Sequence, residues 1–552
     1  VQLDTTGHNI ANVNKDGYSR QRVELVGRVP VNRIFGQIGT GVGIAQIERI
    51  RDEFLDKLYQ EQVAGLGNAE IRAEFYELIE SIFLEPSDTG LSSNINDFFS
   101  ALNEFATNVE SIPVRTSVLT AAASLAQALN DTSSRLDTLR TNANEEVINF
   151  VPEINSLTSR IAVLNEQISS SELGGTTAND LRDDRGVLLD QLGKIVNIFT
   201  RERAGGQVDV LVSGDVLVDG TRALELETVK NAALDPERND LVEVRFVKTG
   251  RVLNVQNGEL FGALEMRDLT LVDIDSDIDE LATTIIEQIN KVHSQGFGLS
   301  NFTGTMTGSY SVTDPSVTLN TAGLPFTIFP GSFDLHVYDE TTSPATAVGG
   351  TPVTINVLAT STLNDIVGQL NAVPNITAAV TANGELSITA AAGFSFGNTN
   401  DDSNLLTALG MNGLFTGTDA KTIGINSVIA DNVELLASRF SPNPLDSGEN
   451  LAALALLDVQ NGTFLSNDTA TINDFYESMN VQVGVDTRAN LDLLEIERTF
   501  VDSFERRRQE ISGVSLDEEV TLMIQFQRAF EASARVITVA DRMLESLLTM
   551  AR

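Results

Sequence analysis

The 552-residue chain contains no cysteine and no tryptophan, only three histidines, and 37 basic side chains against 77 acidic ones. Without thiols there can be no disulfide, no cysteine nucleophile and no thiolate metal site. His8, His293 and His336 are scattered and no His-Glu-x-x-His occurs, so the zinc-protease arrangement is missing. No run of about 18 apolar residues is present to cross a bilayer as a helix. The opening residues lack a basic stretch followed by an apolar one, so no conventional secretory signal is visible. A formal charge of −40 argues against nucleic acid as a partner, because phosphate contact needs basic surface.

The charge is unevenly placed. Residues 1–51 carry seven Lys/Arg against four Asp/Glu, a net of +3, while residues 513–552 carry four Arg against six acids, a net of −2. The acidic excess therefore lies between the ends. Near-neutral termini can pack against copies of themselves, whereas an acidic middle would repel its neighbours unless held outward in water.

The last forty residues, from Gly513, show one helical periodicity with an apolar stripe through Leu516, Val520, Met523, Gln527, Phe530, Ala534, Ile537, Asp541, Leu544, Leu548 and Ala551. Only Gln527 and Asp541 interrupt it. They either favour one register of a packed seam or face solvent beside a drifting stripe. At 1.5 Å per residue the helix would be about 55 Å long, and its stripe needs a cover. An apolar seam carried to the chain end is expected to be a docking element.

Elsewhere Asn14-Lys15-Asp16-Gly17 supplies turn chemistry, and Val23 to Ile47 reads as extended. Helical spacing runs from Phe54 to Phe83 and from Leu91 to Val109. A 4-3 repeat follows through Val118, Ala122, Leu125, Leu129, Thr132, Leu136 and Leu139, and a further helix passes Ile154, Leu157, Ile161, Leu164 and Ile168. Strand patterns appear at Val208–Val212 and Val242–Phe246, helix returns from Ile274 to His293, and the Thr/Ala/Gly/Asn-rich stretch from about 305 to 418 reads as a β insertion with one helix near Leu363–Leu370.

The segment Asn9-Ile10-Ala11-Asn12-Val13-Asn14-Lys15-Asp16-Gly17-Tyr18-Ser19-Arg20-Gln21 resembles the N-terminal signature of the bacterial flagellar axial proteins, the rod, hook and hook-associated proteins. Further likenesses follow in family order: Gly39-Thr40-Gly41-Val42 with Arg49, Asp52 and Leu55; Asp180-Leu181-Arg182-Asp183-Asp184-Arg185 through Leu192; and Asn290, His293 and Gly296 in an Asn-x-x-His-x-x-Gly pattern. Gly513-Val514-Ser515-Leu516-Asp517-Glu518-Glu519, Gln525, Phe530 and Ala532 to Ile537 resemble the family's C-terminal helix. The Gly17–Gln21 ending and the Asp180–Arg185 motif are most similar to the hook-associated members. The chain departs from the pattern in having Lys15-Asp16 where the family has Thr-Pro. It also begins at Val1, where the family has a further apolar helix upstream, so an incomplete N-terminal helix is expected.

The resemblance implies a multidomain α+β fold, with long terminal helices forming a coiled-coil-like inner domain, a helical-bundle domain and β-rich outer domains. The expected boundaries are 1–45 with 513–552 for the inner domain, 46–195 with 266–304 and 419–512 for the mainly helical domain, 196–265 for a β-rich segment and 305–418 for the outer insertion. It further implies a structural subunit at the hook–filament junction, exported through the flagellar type III route without a cleavable signal peptide and located in the extracellular flagellum. The implied partners are copies of itself, the hook protein, a second hook-associated junction protein and an export chaperone on the C-terminal tail, with no nucleic acid and no membrane insertion. The expected assembly interface comprises Asn12, Gly17, Tyr18, Ser19, Arg20 and Gln21 with Leu516, Val520, Met523, Gln527, Phe530, Ala534, Ile537, Asp541, Leu544 and Leu548. Alternatives are another axial subunit, hook or flagellin-like, or a junction protein whose outer insertion is a surface-binding adhesin.

No catalytic residue, cofactor or metal ligand is expected. Gly39-x-Gly41-x-Gly43 has its third glycine misplaced for a dinucleotide fingerprint and reads as a turn or tight strand. Asp273, Asp275 and Asp277 mimic a calcium loop, but Ile278 stands at the turn glycine and Thr284 at the bidentate glutamate, so they read as an acidic helix entry. Arg506-Arg507-Arg508, flanked by Glu505 and Glu510, reads as a solvated helix face.

Overall fold

The computed structural model describes residues 1–83, 90–236, 238–349 and 351–550; Ala551 of the expected stripe lies outside them. Helix α1 (Gln2–Ala11) leads through a turn into β1 (Gln21–Gly27), β2 (Val31–Arg33), β3 (Gly36–Ile38) and β4 (Val42–Arg49). Helices α2 (Glu53–Phe83), α3 (Leu91–Thr107), α4 (Ile112–Glu172) and α5 (Asn179–Ile195) follow. Next come β5 (Ile198–Glu202), β6 (Val208–Val212), β7 (Asp215–Asp219), β8 (Arg222–Ala223), β9 (Leu226–Lys230) and β10 (Val242–Phe246). A π-helical turn, Met266–Thr270, joins α6 (Glu259–Glu265) to α7 (Leu271–His293). The insertion holds β11 (Phe302–Thr303), β12 (Thr305–Ser311), β13 (Gly331–Asp339), β14 (Thr346–Ala347), β15 (Val353–Val357), α8 (Leu363–Leu370), β16 (Ile376–Val380), β17 (Glu385–Ala390) and β18 (Phe394–Thr399). Short elements α9 (Leu405–Ala408), β19 (Phe415–Thr416), β20 (Gly424–Ile425), α10 (Ser427–Asp431) and α11 (Leu451–Asp458) precede the last helices, α12 (Ile472–Ser512) and α13 (Leu516–Met550).

The chain divides into two compact units. Residues 1–76, 140–269 and 487–552 form the first. Its core joins Phe150, Ile154 and Ile161 of α4 to Leu188 and Leu192 of α5, to Val210 and Val218 of an antiparallel meander ordered β5-β6-β7-β8, and to Val244 and Phe246 of the β9–β10 hairpin. The strand β6 is covered on both faces, and its one charge, Asp209, is matched by Arg201 at 2.8 Å, Arg203 at 2.7 Å and the Gly220 N–H. The two 4-3 repeats expected as separate helices are one helix, α4, of 61 residues. Pro152 lies inside it at an exposed position and removes one ladder hydrogen bond, but buried Phe150, Val151 and Ile154 hold the helix to the core on either side.

Residues 77–139 and 270–486 form the second unit. The apolar faces of α3 (Ile95, Phe98, Leu102, Phe105) and α7 (Ile278, Leu281, Ile285, Ile289) are buried, and α11 packs against both helices. Strands β11-β18-β13-β14, with β15 also on β13, make one antiparallel sheet; β12-β17-β16 make another. Helix α8 opens with a reciprocal capping box between Thr362 and Asp365.

The Asn-x-x-His-x-x-Gly pattern has a physical role in this unit. Asn290 exchanges both side-chain hydrogen bonds with the backbone of Phe415, at 2.8 and 2.9 Å. The His293 Nδ1–H donates to the Asn412 carbonyl at 2.7 Å, and Nε2 accepts from the Ala437 N–H at 3.0 Å. A side chain on Gly296 would meet the Ala437 Cβ at 2.7 Å. The three residues thus fasten two later segments to α7. Fully buried Arg115 does similar work, donating to the carbonyls of Val109 (2.7 Å) and Leu436 (2.6 Å) and to Ser438 Oγ (3.0 Å) while lying 5.0 Å from the Phe105 ring centre.

Candidate assembly site

Within the first unit the quoted terminal motifs converge on one polar knot. Asn12 closes α1, its amide donating to the His8 carbonyl at 2.9 Å. The chain then reverses at Gly17, where φ is +73° and an added Cβ would sit 2.2 Å from Val187 of α5, so the turn demands glycine both conformationally and sterically. Tyr18 donates its hydroxyl to Asn9 Oδ1 at 2.8 Å and accepts from His8 Nδ1 at 2.9 Å. Burial, reinforced by the Asp180 and Asp183 carboxylates, raises the Tyr18 phenol above its usual range, which keeps the proton that makes this bond.

Ser19 is the centre. Its N–H and hydroxyl both donate to Asp183, at 2.9 and 2.8 Å, and the same carboxylate accepts from Arg49 at 2.8 Å and Arg51 at 3.5 Å. Asp183 and Ser19 are buried, so four donors replace the water that the charge loses. Arg20 reaches the other terminus, with Nε 2.7 Å from Glu519 and Nη1 2.9 Å from Glu518, while its N–H donates to the Ser512 carbonyl at 2.8 Å. Gln21 exchanges backbone bonds with the Asn9 amide at 3.0 Å and donates to Asp180 at 2.7 Å. On α5, Asp180, Asp183 and Asp184 therefore serve the N-terminal segment. Arg182 pairs bidentately with Glu172, and Arg185 donates to Asn165 and to the Gly206 carbonyl.

The knot brings together Asn12, Gly17, Tyr18, Ser19, Arg20 and Gln21, and ties them to the first turn of α13. It does not gather the C-terminal stripe. Helix α1 packs on α13, where Glu519 is buried and Leu522, Met523 and Phe526 are partly covered. Of the stripe residues only Met523 shares that face; Leu516, Val520, Gln527, Phe530, Ala534, Ile537, Asp541, Leu544 and Leu548 are exposed. The covered face is turned by about one residue from the stripe, because α1 lies over the turn that carries Glu519.

Three contributors were not among the expected interface residues. Asn9 and Asp183 stood inside quoted motifs, and their signal was an amide and an acid placed to bond backbone. Arg508 corrects the reading of Arg506-Arg507-Arg508 as a solvated face: Arg506 and Arg507 are exposed, but the Arg508 side chain is 11% exposed, lies 4.2 Å over Tyr59 and bridges Asp56 at 3.1 Å and Asp190 at 2.9 Å. Its partners are hundreds of residues away, so local charge pattern could not reveal it. The glycines Gly39, Gly41 and Gly43 lie in the turn before β4 and in its first residues, and Asp273, Asp275 and Asp277 in the opening turns of α7.

A ten-residue helix at the N-terminus and a 35-residue helix at the C-terminus, knotted by one set of polar bonds around β-bearing segments, are the arrangement expected of a flagellar axial subunit, and comparison with known proteins points the same way. Residues 76–307 match the family described as flagellar hook-associated protein FlgK helical domain, and residues 506–550 match the flagellar basal body rod FlgEFG protein C-terminal family. Flagellar hook-associated protein 1 of Bacillus subtilis is 28% identical, with 99% of this chain aligned to 94% of that protein. The Salmonella typhimurium protein of the same name is 27% identical over 99% of this chain and 97% of its own length. The solved structure of the flagellar hook junction protein FlgK from Burkholderia pseudomallei shares the fold, with a TM-score of 0.51 at 17% identity, covering 84% of this chain and all of that one. Over nearly its whole length the chain is thus similar to proteins named flagellar hook-associated protein 1.

Proposed function

We propose that this chain is a structural subunit of the bacterial flagellum at the hook–filament junction, assembling with its own copies through its terminal helices. The observation that carries this reading is the contrast within α13. Its first turn is fixed by Arg20 and α1, yet from Gln527 onward every described position is exposed, including Phe530, Ile537, Leu544 and Leu548. A helix of 35 residues with that much uncovered apolar surface needs partner chains. No helix among the described residues is long and apolar enough to cross a membrane.

The partners in this reading are neighbouring copies, the hook protein on one side and the second hook-associated junction protein on the other. An export chaperone shields the α13 face before assembly, and export follows the flagellar type III route to the cell exterior. The role is structural and not enzymatic. Electron microscopy of a deletion strain tests it: completed hooks without filaments, with flagellin shed to the medium, are expected, whereas filaments attached as in the parent strain would overturn the reading.

A further inference from the structure

The segment between Gln21 and Arg49 leaves the knot as a β-arm whose residues 24–42 are all exposed. β1 pairs with β4, with a bulge between Glu24 and Leu25, and beyond them β2 and β3 form a hairpin whose two-residue tip is Ile34-Phe35. Those two side chains are 107% and 82% exposed, and Val29 is 86% exposed. Arg33 directly precedes the tip and Arg28 stands at the other end of the hairpin, opposite Gly41; neither has a carboxylate within ion-pair distance among the described residues, whereas Arg22 at the base of the arm faces Glu48. An apolar tip with one unmatched cation beside it and a second further down the arm, on a chain of net charge −40, has the character of a docking element.

A complementary seat lies on the same unit. A groove of about 860 Å³ runs between α4 and the β8–β9 edge, its apolar surface coming from exposed Ile148 and Pro152 over buried Val151 and Leu226. Glu225 and Glu227 line it, no basic residue does, and neither carboxylate is in an ion pair among the described residues. The groove thus offers two unmatched anions beside an apolar trough, where the arm offers unmatched Arg33 beside an apolar tip.

We propose that the Ile34-Phe35 tip of one copy seats in the α4/β8–β9 groove of a neighbouring copy, with Arg33 facing Glu225 and Glu227. The proposal rests on the self-assembly reading above and adds the surfaces that meet. Tip and groove are different patches, so the contact is heterologous: repeated from copy to copy it closes a ring or continues as a helix, and it cannot make an isolated two-fold dimer. It also gives the acidic body of each subunit a cationic bridge to the next, which offsets part of the repulsion between like-charged neighbours.

The absence of cysteine makes the test direct. Cells co-expressing a Phe35→Cys chain and a Ser156→Cys chain, Ser156 being exposed on the groove wall, are treated with a short bismaleimide, and flagella are then isolated. A covalent dimer from the mixed strain, absent when either variant is expressed alone, is the expected result. Dimers from Phe35→Cys alone would mean tip-to-tip contact, and filament-bearing flagella with no mixed dimer would mean another seat; either result overturns the proposal. As a second arm, Arg33→Glu is expected to reduce filament attachment and Glu227→Arg in the same chain to restore it; loss without restoration counts against the pairing. A deletion strain that loses its filaments while the cysteine pair stays unlinked would sink the arm contact and leave the junction role standing.

Discussion

Replacing Asp183 by alanine should free the N-terminal segment without unfolding the body of the first unit. The carboxylate is 2% exposed and accepts from the Ser19 N–H, the Ser19 hydroxyl, Arg49 and Arg51. Its loss strands a buried N–H and the Arg49 guanidinium, whose side chain is 16% exposed; Arg51 keeps Asp56. Removing one member of a buried ion pair costs about 3–5 kcal/mol. Because Arg51 retains a partner, the lower end applies, about 3 kcal/mol, or roughly 150-fold in the equilibrium for local opening. Native-state amide exchange followed by mass spectrometry reads this directly. Amides of residues 9–21 should exchange about two orders of magnitude faster, while those of buried Leu188–Leu192 in α5 stay protected to within about threefold. Asp183→Asn, which keeps an acceptor for Ser19 but not the charge, should fall between. Unchanged exchange at residues 9–21 in Asp183→Ala would show that α1 and the β-arm hold the segment without the knot.

Three further outcomes follow from the same geometry. Burial holds the His293 imidazole neutral and lowers its pKa from 6.5 to about 4, so between those values the unfolded chain binds a proton that the folded chain does not. Stability of the second unit should be complete above about pH 6.5 and decline by about 3 kcal/mol toward pH 4, seen as a falling urea midpoint that flattens in His293→Gln. Gly17→Ala places a Cβ 2.2 Å from Val187 at φ +73°; adding a left-handed backbone cost of about 1–2 kcal/mol, it should speed trypsin cleavage at Arg20, with Val187→Ala relieving only the steric part. Arg115→Met removes donors to Val109, Leu436 and Ser438 in a fully buried position and should cost at least about 3 kcal/mol in denaturant unfolding of the second unit, while Glu110→Gln, at an exposed neighbour, should be nearly silent.

Much of the local structure was legible because it depends on residues close in sequence. The strand patterns at Val208–Val212 and Val242–Phe246 and the helix at Leu363–Leu370 have the same bounds in the structure, since alternation and a capping box act over a few residues. The turn at Gly17 was readable from Asp-Gly. The continuity of α4 was not, because periodicity fades in the polar stretch Thr141 to Glu146, and only tertiary packing shows that the helix runs on. The covered face of α13 was also missed: an apolar stripe shows where partners can bind, whereas the face used within one chain follows from Glu519 meeting Arg20 across nearly five hundred residues. Arg508 is a similar case, its solvent-like flanks outweighed by Asp56, Asp190 and Tyr59. Nor did the extended reading of Val23 to Ile47 show that its tip would stand bare.

Only Gly513, Val514 and Ser515 separate α12 from α13, and Arg20 braces this elbow with two unequal struts. The Glu518 side chain is 62% exposed and the Glu519 side chain 2%. Ions in the medium screen the outer strut and scarcely reach the inner one. As salinity rises the elbow should therefore soften by one step and then stop, retaining a floor of stiffness set by Glu519. A motile cell passing from fresh to saline water would keep the bend between its two longest C-terminal levers.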